Sequence, residues 1–254
     1  MNDADLRDGA APSGTPSPGT EYALISLSGT ELTPLLASRP DGFDSLRLVR
    51  SSFVPEIQLH LADDEIILQA RIEAQFGRDV TPFWANAWAG GQAVARYVLD
   101  HPETVAGRRV LDVASGCGVV AIAAAKAGAA TVTANDIDPY SLVAVGMNAE
   151  VNAVSIGVDA GDLLDGDGGP AEVILVGDAF YNSELTARMQ RFLQRCLSRG
   201  AQVLIGDPDR GYLPAQWLTV LRSYSVSGIG AATDAGISRV SVLGGGQRHR
   251  SAAG

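Results

Sequence analysis

Cysteine is nearly absent from this 254-residue chain, with Cys117 and Cys196 its only two. Two cysteines make no disulfide framework, and their spacing matches no zinc site, so a reducing compartment and a cytoplasmic location are expected. Histidine is equally scarce: His60, His101 and His249 fall far apart, and neither a metal centre nor a histidine base is expected. Basic residues number 19 against 29 acidic ones, for a formal charge of −10. Nucleic-acid affinity comes largely from clustered Lys and Arg, so no nucleic-acid partner is expected, and a neutral or basic partner suits the charge better. No apolar run approaches the roughly 20 residues that span a bilayer, and the first residues are acidic rather than signal-like, so no membrane partner is expected.

What remains is a chain with 46% hydrophobic residues and 29 glycines, enough for one sizeable core with close helix-on-sheet packing. Residues 1–20 mix Ala, Pro, Ser, Gly and Asp and read as a disordered tail; residues 244–254, glycine-rich then basic, read as a second loose end. Between them, 21–243 reads as one domain with an accessory segment over about 21–82, in which Leu46 to Leu68 suggests strands and turns.

From Gly91 to Leu99 the apolar spacing predicts a helix ended by His101-Pro102. Beyond Arg109, β-rich and helical runs alternate: Val110–Val113 then Val119–Ala127, Thr131–Asn135 then Tyr140–Val151, Val173–Val176 then Ser183–Leu197, Gln202–Ile205 then Pro214–Leu221. Such alternation implies parallel strands with right-handed crossovers. Two β-like runs, Tyr224–Ile229 and Ile237–Leu243, follow each other and should form an antiparallel hairpin at one edge. The fold expected is α/β, Rossmann-like, with a mostly parallel sheet and helices on both faces, and the family resemblance given below implies that the sheet is seven-stranded.

In such sheets the ligand sits beyond the carboxyl ends of the strands. There the chain places Asp112-Val113-Ala114-Ser115-Gly116-Cys117-Gly118. Ser115, Gly116 and Gly118 form a turn whose backbone can approach a ligand closely, ahead of a helix with free N–H groups. Gly116 to Ala121 also satisfies the G-x-G-x-x-[GA] dinucleotide pattern, with Asp136 at a suitable distance, so the glycines alone leave NAD open. Asp112 separates the two readings. Its charge repels a pyrophosphate and attracts the sulfonium and ammonium of S-adenosylmethionine, although an Asp at a strand end also caps turns.

Asp136 ends the second strand and is placed for ribose hydroxyls, with Ile137 beside it. Asp138 is suited to cap the next helix, with Pro139 at its first position. Asp162 and Leu163 are candidates for the adenine edge and face, against a simple turn role for Asp162. The fourth strand delivers Asp178-Ala179-Phe180-Tyr181. In this group Asp178 and Tyr181 are the candidate catalytic residues and Phe180 a substrate wall; the competing reading makes the aromatics core residues and Asp178 a cap. Trp84 is a candidate for the cofactor side and Trp88 for the substrate side. Arg210 is suited to a substrate carboxylate or to pairing with Asp207 or Asp209.

Five segments carry a resemblance: Phe83 to Ala93, Leu111 to Gly118, Ala134 to Pro139, Gly177 to Tyr181 and Val203 to Arg210. Together, over roughly Val49 to Leu243, the chain resembles the electron-transfer-flavoprotein β-subunit lysine methyltransferases, a seven-β-strand family related to nicotinamide N-methyltransferase-like and ribosomal-protein L11 methyltransferase-like bacterial proteins. The resemblance implies S-adenosylmethionine-dependent N-methylation, with a protein lysine as acceptor, on electron-transfer flavoprotein β-subunit or a ribosomal protein. It also implies that Asp178 to Tyr181 serves catalysis and substrate binding. A small-molecule amine such as nicotinamide, an NAD-dependent oxidoreductase and a non-catalytic cofactor-binding scaffold are the rival readings. Ala114 departs from the family pattern, where glycine is usual.

Overall fold

A computed structural model describes residues 46–76, 81–225, 234 and 236–245. The tail at 1–20, the accessory stretch 21–45, the end of the β-like run beyond Ser225 and the terminal residues from 246 lie outside the described residues.

The chain opens with an antiparallel pair, β1 (Leu46–Arg50) and β2 (Gln58–Ala62), then α1 (Glu65–Phe76). The expected accessory segment is thus a hairpin and a helix. After a 3-10 turn at Phe83–Ala85 comes α2 (Ala89–Asp100). The alternating half follows: β3 (Arg109–Val113), α3 (Val119–Lys126), β4 (Thr131–Asp136), α4 (Pro139–Val151), β5 (Gly157–Ala160), β6 (Val173–Gly177), α5 (Ser183–Ser198) and β7 (Gln202–Asp207). Last come β8 (Thr219–Ser225) and β9 (Arg239–Gly245).

Seven of these strands form one sheet in the order β5-β4-β3-β6-β7-β9-β8. Strands β3 to β7 pair in parallel, whereas β9 inserts antiparallel between β7 and β8. This is the mostly parallel sheet with an antiparallel hairpin at one edge that the sequence predicts. Two boundaries differ. The helix expected over Pro214–Leu221 is only a 3-10 turn at Ala215–Trp217, and the strand begins at Thr219. Pairing of Thr219 and Val220 with Gly244 and Leu243 overrides the helical spacing of Trp217, Leu218 and Leu221. Gly244 and Gly245, expected in a loose end, lie in the β7–β9 ladder opposite Leu204 and Val203.

Helix chemistry follows position. α3 is Val-Val-Ala-Ile-Ala-Ala-Ala-Lys and is buried from Val119 to Ala124, as a helix apolar all round must be. α5 is amphipathic, burying Thr186, Met189, Phe192, Leu193 and Cys196, and Asn182 caps it by accepting from the Leu185 N–H at 2.9 Å. α4 starts with Asp138 accepting from the Tyr140 N–H at 2.9 Å and Pro139 in its first turn, as its sequence signature requires.

Two contacts set the site. The hairpin is stitched to α4 by Asn152, which exchanges hydrogen bonds with the Gln58 backbone, and by Asn148, which accepts from the His60 N–H at 2.7 Å. The same Asn148 amide donates to the Cys117 carbonyl at 2.9 Å, so the accessory segment braces the glycine loop. On the other side α2 meets the sheet backbone to backbone. A Cβ on Gly206 would lie 2.0 Å from the Gly90 oxygen, and one on Gly177 would lie 2.6 Å from the Gly91 Cα. Only glycine fits at these crossings.

Candidate functional site

The carboxyl ends of β3, β4, β6 and β7 converge below the start of α2. Between the β3–α3 loop and α2 lies a cleft of about 300 Å³, its open mouth included, lined by Asn86, Trp88, Gly91, Asp112, Ala114 to Cys117, Val119, Val120 and Gly177. The loop turns through three left-handed residues, Ala114 (φ 55°), Gly116 (φ 52°) and Gly118 (φ 79°). Ala114 stands where the family pattern has glycine, and its φ is the reason glycine is favoured there. Ser115 holds the turn: its N–H donates to the Asn135 carbonyl at 3.0 Å and its hydroxyl to the Asp112 carbonyl at 2.9 Å.

Asp112 is completely buried. Its Oδ2 accepts from the Ala121 N–H in the first turn of α3 at 3.1 Å, so the carboxylate does cap that helix. Its Oδ1, also buried, has no hydrogen-bond partner. Burial pushes the group up to about 8, because the charged form has lost water without gaining a cation. In the same cleft the Nδ2 of Asn86 is a buried donor without a partner. One orphaned acceptor and one orphaned donor therefore belong to two residues that line a single cleft, each at a cost of about 1–3 kcal/mol while unsatisfied.

Asp136 ties the loop to the next strand end: Oδ2 accepts from the Gly116 N–H at 2.9 Å and Oδ1 from the Asp138 N–H at 3.0 Å. Burial raises its pKa. Ile137, next along, is 53% exposed, an apolar surface at the rim. Asp162 has its carboxylate engaged: Oδ1 accepts from the Leu164 N–H at 2.9 Å and Oδ2 from Arg188 at 2.7 Å. The turn role is the one on display, and an adenine contact would have to share these oxygens. Leu163 packs partly buried against the α5 side of the core. Trp84 is buried beneath the loop, its Cα 3.9 Å from where a Gly116 Cβ would be, with its ring near Tyr140. It supports the loop from the core rather than lining the cleft. Cys117 is buried, and burial pushes its thiol up to about 12, which disfavours the thiolate.

After β6 the picture changes. Asp178 sits at φ 59° with its N–H donating to the Gly206 carbonyl at 2.9 Å. Its carboxylate is taken by Arg210, Nε to Oδ1 at 2.7 Å and Nη2 to Oδ2 at 3.2 Å, and Oδ2 also accepts from the Gly90 N–H at 3.1 Å. Nη2 of Arg210 also donates to Asp234 Oδ1 at 2.7 Å, while Asp234 Oδ2 accepts from the Ala89 N–H at 3.2 Å. The two carboxylates thus cap the first two N–H groups of α2 from a distance, with Arg210 bridging them. Both partners hold the guanidinium protonated, far above its usual range.

This geometry corrects three expectations. Asp178 does not offer an open carboxylate to an amine, since a guanidinium already occupies it. The Arg210 guanidinium pairs with Asp178 and Asp234 rather than with Asp207 or Asp209. Phe180 is fully buried in the cluster that holds Met189 and Phe192 and is core. Tyr181 is the outward one, 44% exposed and stacked on Phe83 with centroids 5.7 Å apart. Trp88 lines the cleft, its Nε1 donating to the Phe83 carbonyl at 2.8 Å and its ring facing Arg210 at 5.8 Å. Asp207, buried at the end of β7, accepts from the Asp209 N–H at 2.7 Å, and burial raises it to about 6.

Sequence reasoning missed Asn86, Asp234 and the role of Phe83. Asn86 lay inside a segment singled out for its tryptophans, and an asparagine there carries no local signal. Asp234 stands in an Ala-, Thr- and Gly-rich stretch with no motif. Among the described residues no cluster of His, Cys, Asp and Glu could hold a metal ion, and no helix is long and apolar enough to cross a membrane.

Comparison with known proteins agrees with this frame. The family model for ribosomal protein L11 methyltransferase (PrmA) matches residues 97–176. Electron transfer flavoprotein beta subunit lysine methyltransferase from Danio rerio is 41% identical over 170 residues, 66% of this chain and 66% of that protein. The protein of the same name from Homo sapiens is 38% identical over 161 residues, 63% and 61% of the two chains. The chain therefore spans just under two thirds of the length of these relatives. A crystal structure of ribosomal protein L11 methylase from Lactobacillus delbrueckii subsp. bulgaricus superposes with a TM-score of 0.45 at 21% identity, covering 63% of this chain and 79% of that one.

Proposed function

We propose that this chain, similar over its sheet and loops to electron transfer flavoprotein beta subunit lysine methyltransferases, is an S-adenosylmethionine-dependent N-methyltransferase whose acceptor is a lysine side chain of a protein. The observation that carries the proposal is the cleft over the glycine loop, lined by Asp112 and Asn86, each with a buried side-chain atom that lacks a partner, Oδ1 and Nδ2. An acceptor carboxylate and a donor amide in the lining of one cleft suit the zwitterionic amino-acid end of the cofactor, the ammonium toward Asp112 and the carboxylate toward Asn86. A pyrophosphate would bring two further negative charges to Asp112, which disfavours the dinucleotide reading. Asp136, at the end of β4, is our candidate for the ribose hydroxyls, which would share oxygens that already accept from the Gly116 and Asp138 N–H groups, and exposed Ile137 our candidate for a face of the adenine.

When bound, the cofactor supplies a methyl group activated by its sulfonium. The chain's own residues have to deliver a neutral amine in line with it. A free lysine has a pKa of about 10.4, so only roughly one in 2,500 is neutral at pH 7. With Asp178 neutralised by Arg210, no bare carboxylate stabilises the ammonium. Apolar surroundings at Trp88 and Tyr181 then favour loss of its proton. Asp178 organises the wall and leaves the amine to be aligned by the aromatic mouth, and alignment supplies much of the rate. A basic acceptor protein suits the net charge of −10, and the two free, buried cysteines fit action in the cytoplasm.

The test is transfer of a radiolabelled methyl group into a host lysate, split into protein and small-molecule fractions and followed by mass spectrometry. Label on protein lysine is the expected result. Label in a small amine overturns the protein acceptor, and tight cofactor binding with no label anywhere overturns the enzyme.

A further inference from the structure

Among the described residues β2 pairs with β1 on one side. Along its other side lie two asparagines a helical turn apart, Asn148 in the last turn of α4 and Asn152 at its C-cap, and their amides meet alternate strand residues. Asn152 exchanges hydrogen bonds with the Gln58 backbone, and Asn148 Oδ1 accepts from the His60 N–H at 2.7 Å. The two then part. Asn152 Nδ2 stays within the helix, donating also to the Asn148 carbonyl at 2.7 Å. Asn148, fully buried, gives its Nδ2 to the Cys117 carbonyl of the glycine loop at 2.9 Å. Its Oδ1 also meets His60 Nδ1 at 3.1 Å; an amide oxygen only accepts, so that ring nitrogen carries the proton. Donors on one side and an acceptor on the other allow the amide one orientation. Reversed, it would set oxygen against oxygen and N–H against N–H.

We propose that Asn148 is a positioning residue for S-adenosylmethionine: it fixes the plane of the Cys117–Gly118 peptide and, through it, the shape of the cleft; this rests on the reading of that cleft as the cofactor site. The peptide sits at the softest point of the loop, with Gly116 (φ 52°) before Cys117 and Gly118 (φ 79°) after it. Its carbonyl accepts from Asn148 and its N–H donates to the Ser115 carbonyl at 2.8 Å. A turned plane would lose both bonds, leave a buried carbonyl unsatisfied and re-aim the start of α3, where Val119 and Val120 line the cleft. α4 touches the loop once more, since a Cβ on Gly118 would lie 3.0 Å from Val145 Cγ2. An apolar contact of that kind is non-directional and cannot hold a peptide plane. Among the described residues that line the cleft none comes from β1, β2 or α4, so Asn148 acts on the ligand only through the loop. Asn152 is the internal comparison: the same residue type on the same strand, without the bond to Cys117.

The experiment reads the full chain in two ways: S-adenosylhomocysteine affinity by calorimetry and, without ligand, amide exchange across residues 114–120 by mass spectrometry. Asn148→Leu, which keeps the bulk and loses the donor, is expected to raise Kd about tenfold and to speed exchange in the loop about fivefold. Asn152→Leu breaks the bonds to Gln58 and is expected to lose at least as much stability to urea, yet to keep Kd within about twofold and loop exchange at the parent rate. Asn148→Ala, with the same expectation, takes the place of Asn148→Leu if leucine is not accommodated. Unchanged affinity or unchanged loop exchange in the Asn148 variant overturns the proposal. Equal weakening by Asn152→Leu also overturns it, since the effect would then be general loosening. A parent chain that binds no S-adenosylhomocysteine is seen before any variant is compared; it overturns the cofactor reading itself and takes this role of Asn148 with it.

Discussion

Two aspartates at neighbouring strand ends, Asp112 on β3 and Asp178 after β6, have opposite fates. Both are buried, both accept from an N–H in the first turn of a helix, and both looked from the sequence like ligand-facing carboxylates. Asp112 keeps one oxygen unpartnered and its pKa rises to about 8. Asp178 has both oxygens bound by Arg210. A buried carboxylate is a binding group only while its countercharge is missing; once an internal guanidinium supplies it, the same side chain becomes architecture.

The comparison is broken most severely at Arg210. Arg210→Ala leaves Asp178 and Asp234 buried without their cation, and a loss of about 3–5 kcal/mol of unfolding free energy is expected by urea titration. Cofactor affinity in the fraction that stays folded should change much less. A variant as stable as the parent would show that the bridge is incidental.

Asp112→Asn probes the other side. The amide oxygen can still accept from Ala121, so stability should hold within about 1 kcal/mol at pH 4, where the parent carboxyl is protonated, and exceed the parent's near neutral pH, while S-adenosylmethionine affinity by calorimetry falls about 100-fold through loss of the charge. The parent should also show a pH dependence that the variant lacks. Folding raises the Asp112 pKa from the ordinary carboxylate range to about 8. Its contribution to stability is therefore present at low pH and lost as pH rises from about 4 to 8. A cationic ligand prefers the ionised form, so its Kd falls over the upper part of that window, about tenfold from pH 6.5 to 8.5, and levels above it. A flat profile in the parent would remove Asp112 from the ammonium site.

The smallest effect belongs to Ala114. Its φ of 55° carries the strain of a left-handed alanine, and Ala114→Gly should stabilise the chain by about 0.5–1 kcal/mol after allowing for the added freedom of the unfolded glycine. Cofactor affinity should stay within threefold. A destabilised variant would mean that the Ala114 methyl is held by contacts stronger than the strain.

Local signals account for what was legible before the structure. Strand and helix alternated in period, Asp138-Pro139 announced a helix start, and Gly116 and Gly118 announced the loop. Six strands, the antiparallel hairpin among them, followed from these; the count of seven came with the family resemblance, and the strand at Gly157–Ala160 gave no clear run of its own. Unreadable parts depended on partners far along the chain. Thr219 and Val220 became a strand because β9 was waiting for them, against their own helical spacing. Phe180 and Tyr181 are adjacent and alike in sequence, yet one turned into the core and the other outward, a choice fixed by the exit angle of β6. That Asp178 would be neutralised depended on Arg210, 32 residues on, and on Asp234, a further 24. No residue near Asp178 could have disclosed them.

The backbone crossing of α2 over β6 and β7 has a consequence for motion. Where side chains separate two elements, small rotamer changes let one slide over the other. Gly90 and Gly91 against Gly177 and Gly206 leave no such cushion. Wall and floor of the cleft therefore behave as a single casting, and any adjustment to acceptors of different shape falls to the short turn carrying Phe83 and to the segment beyond β6 carrying Tyr181.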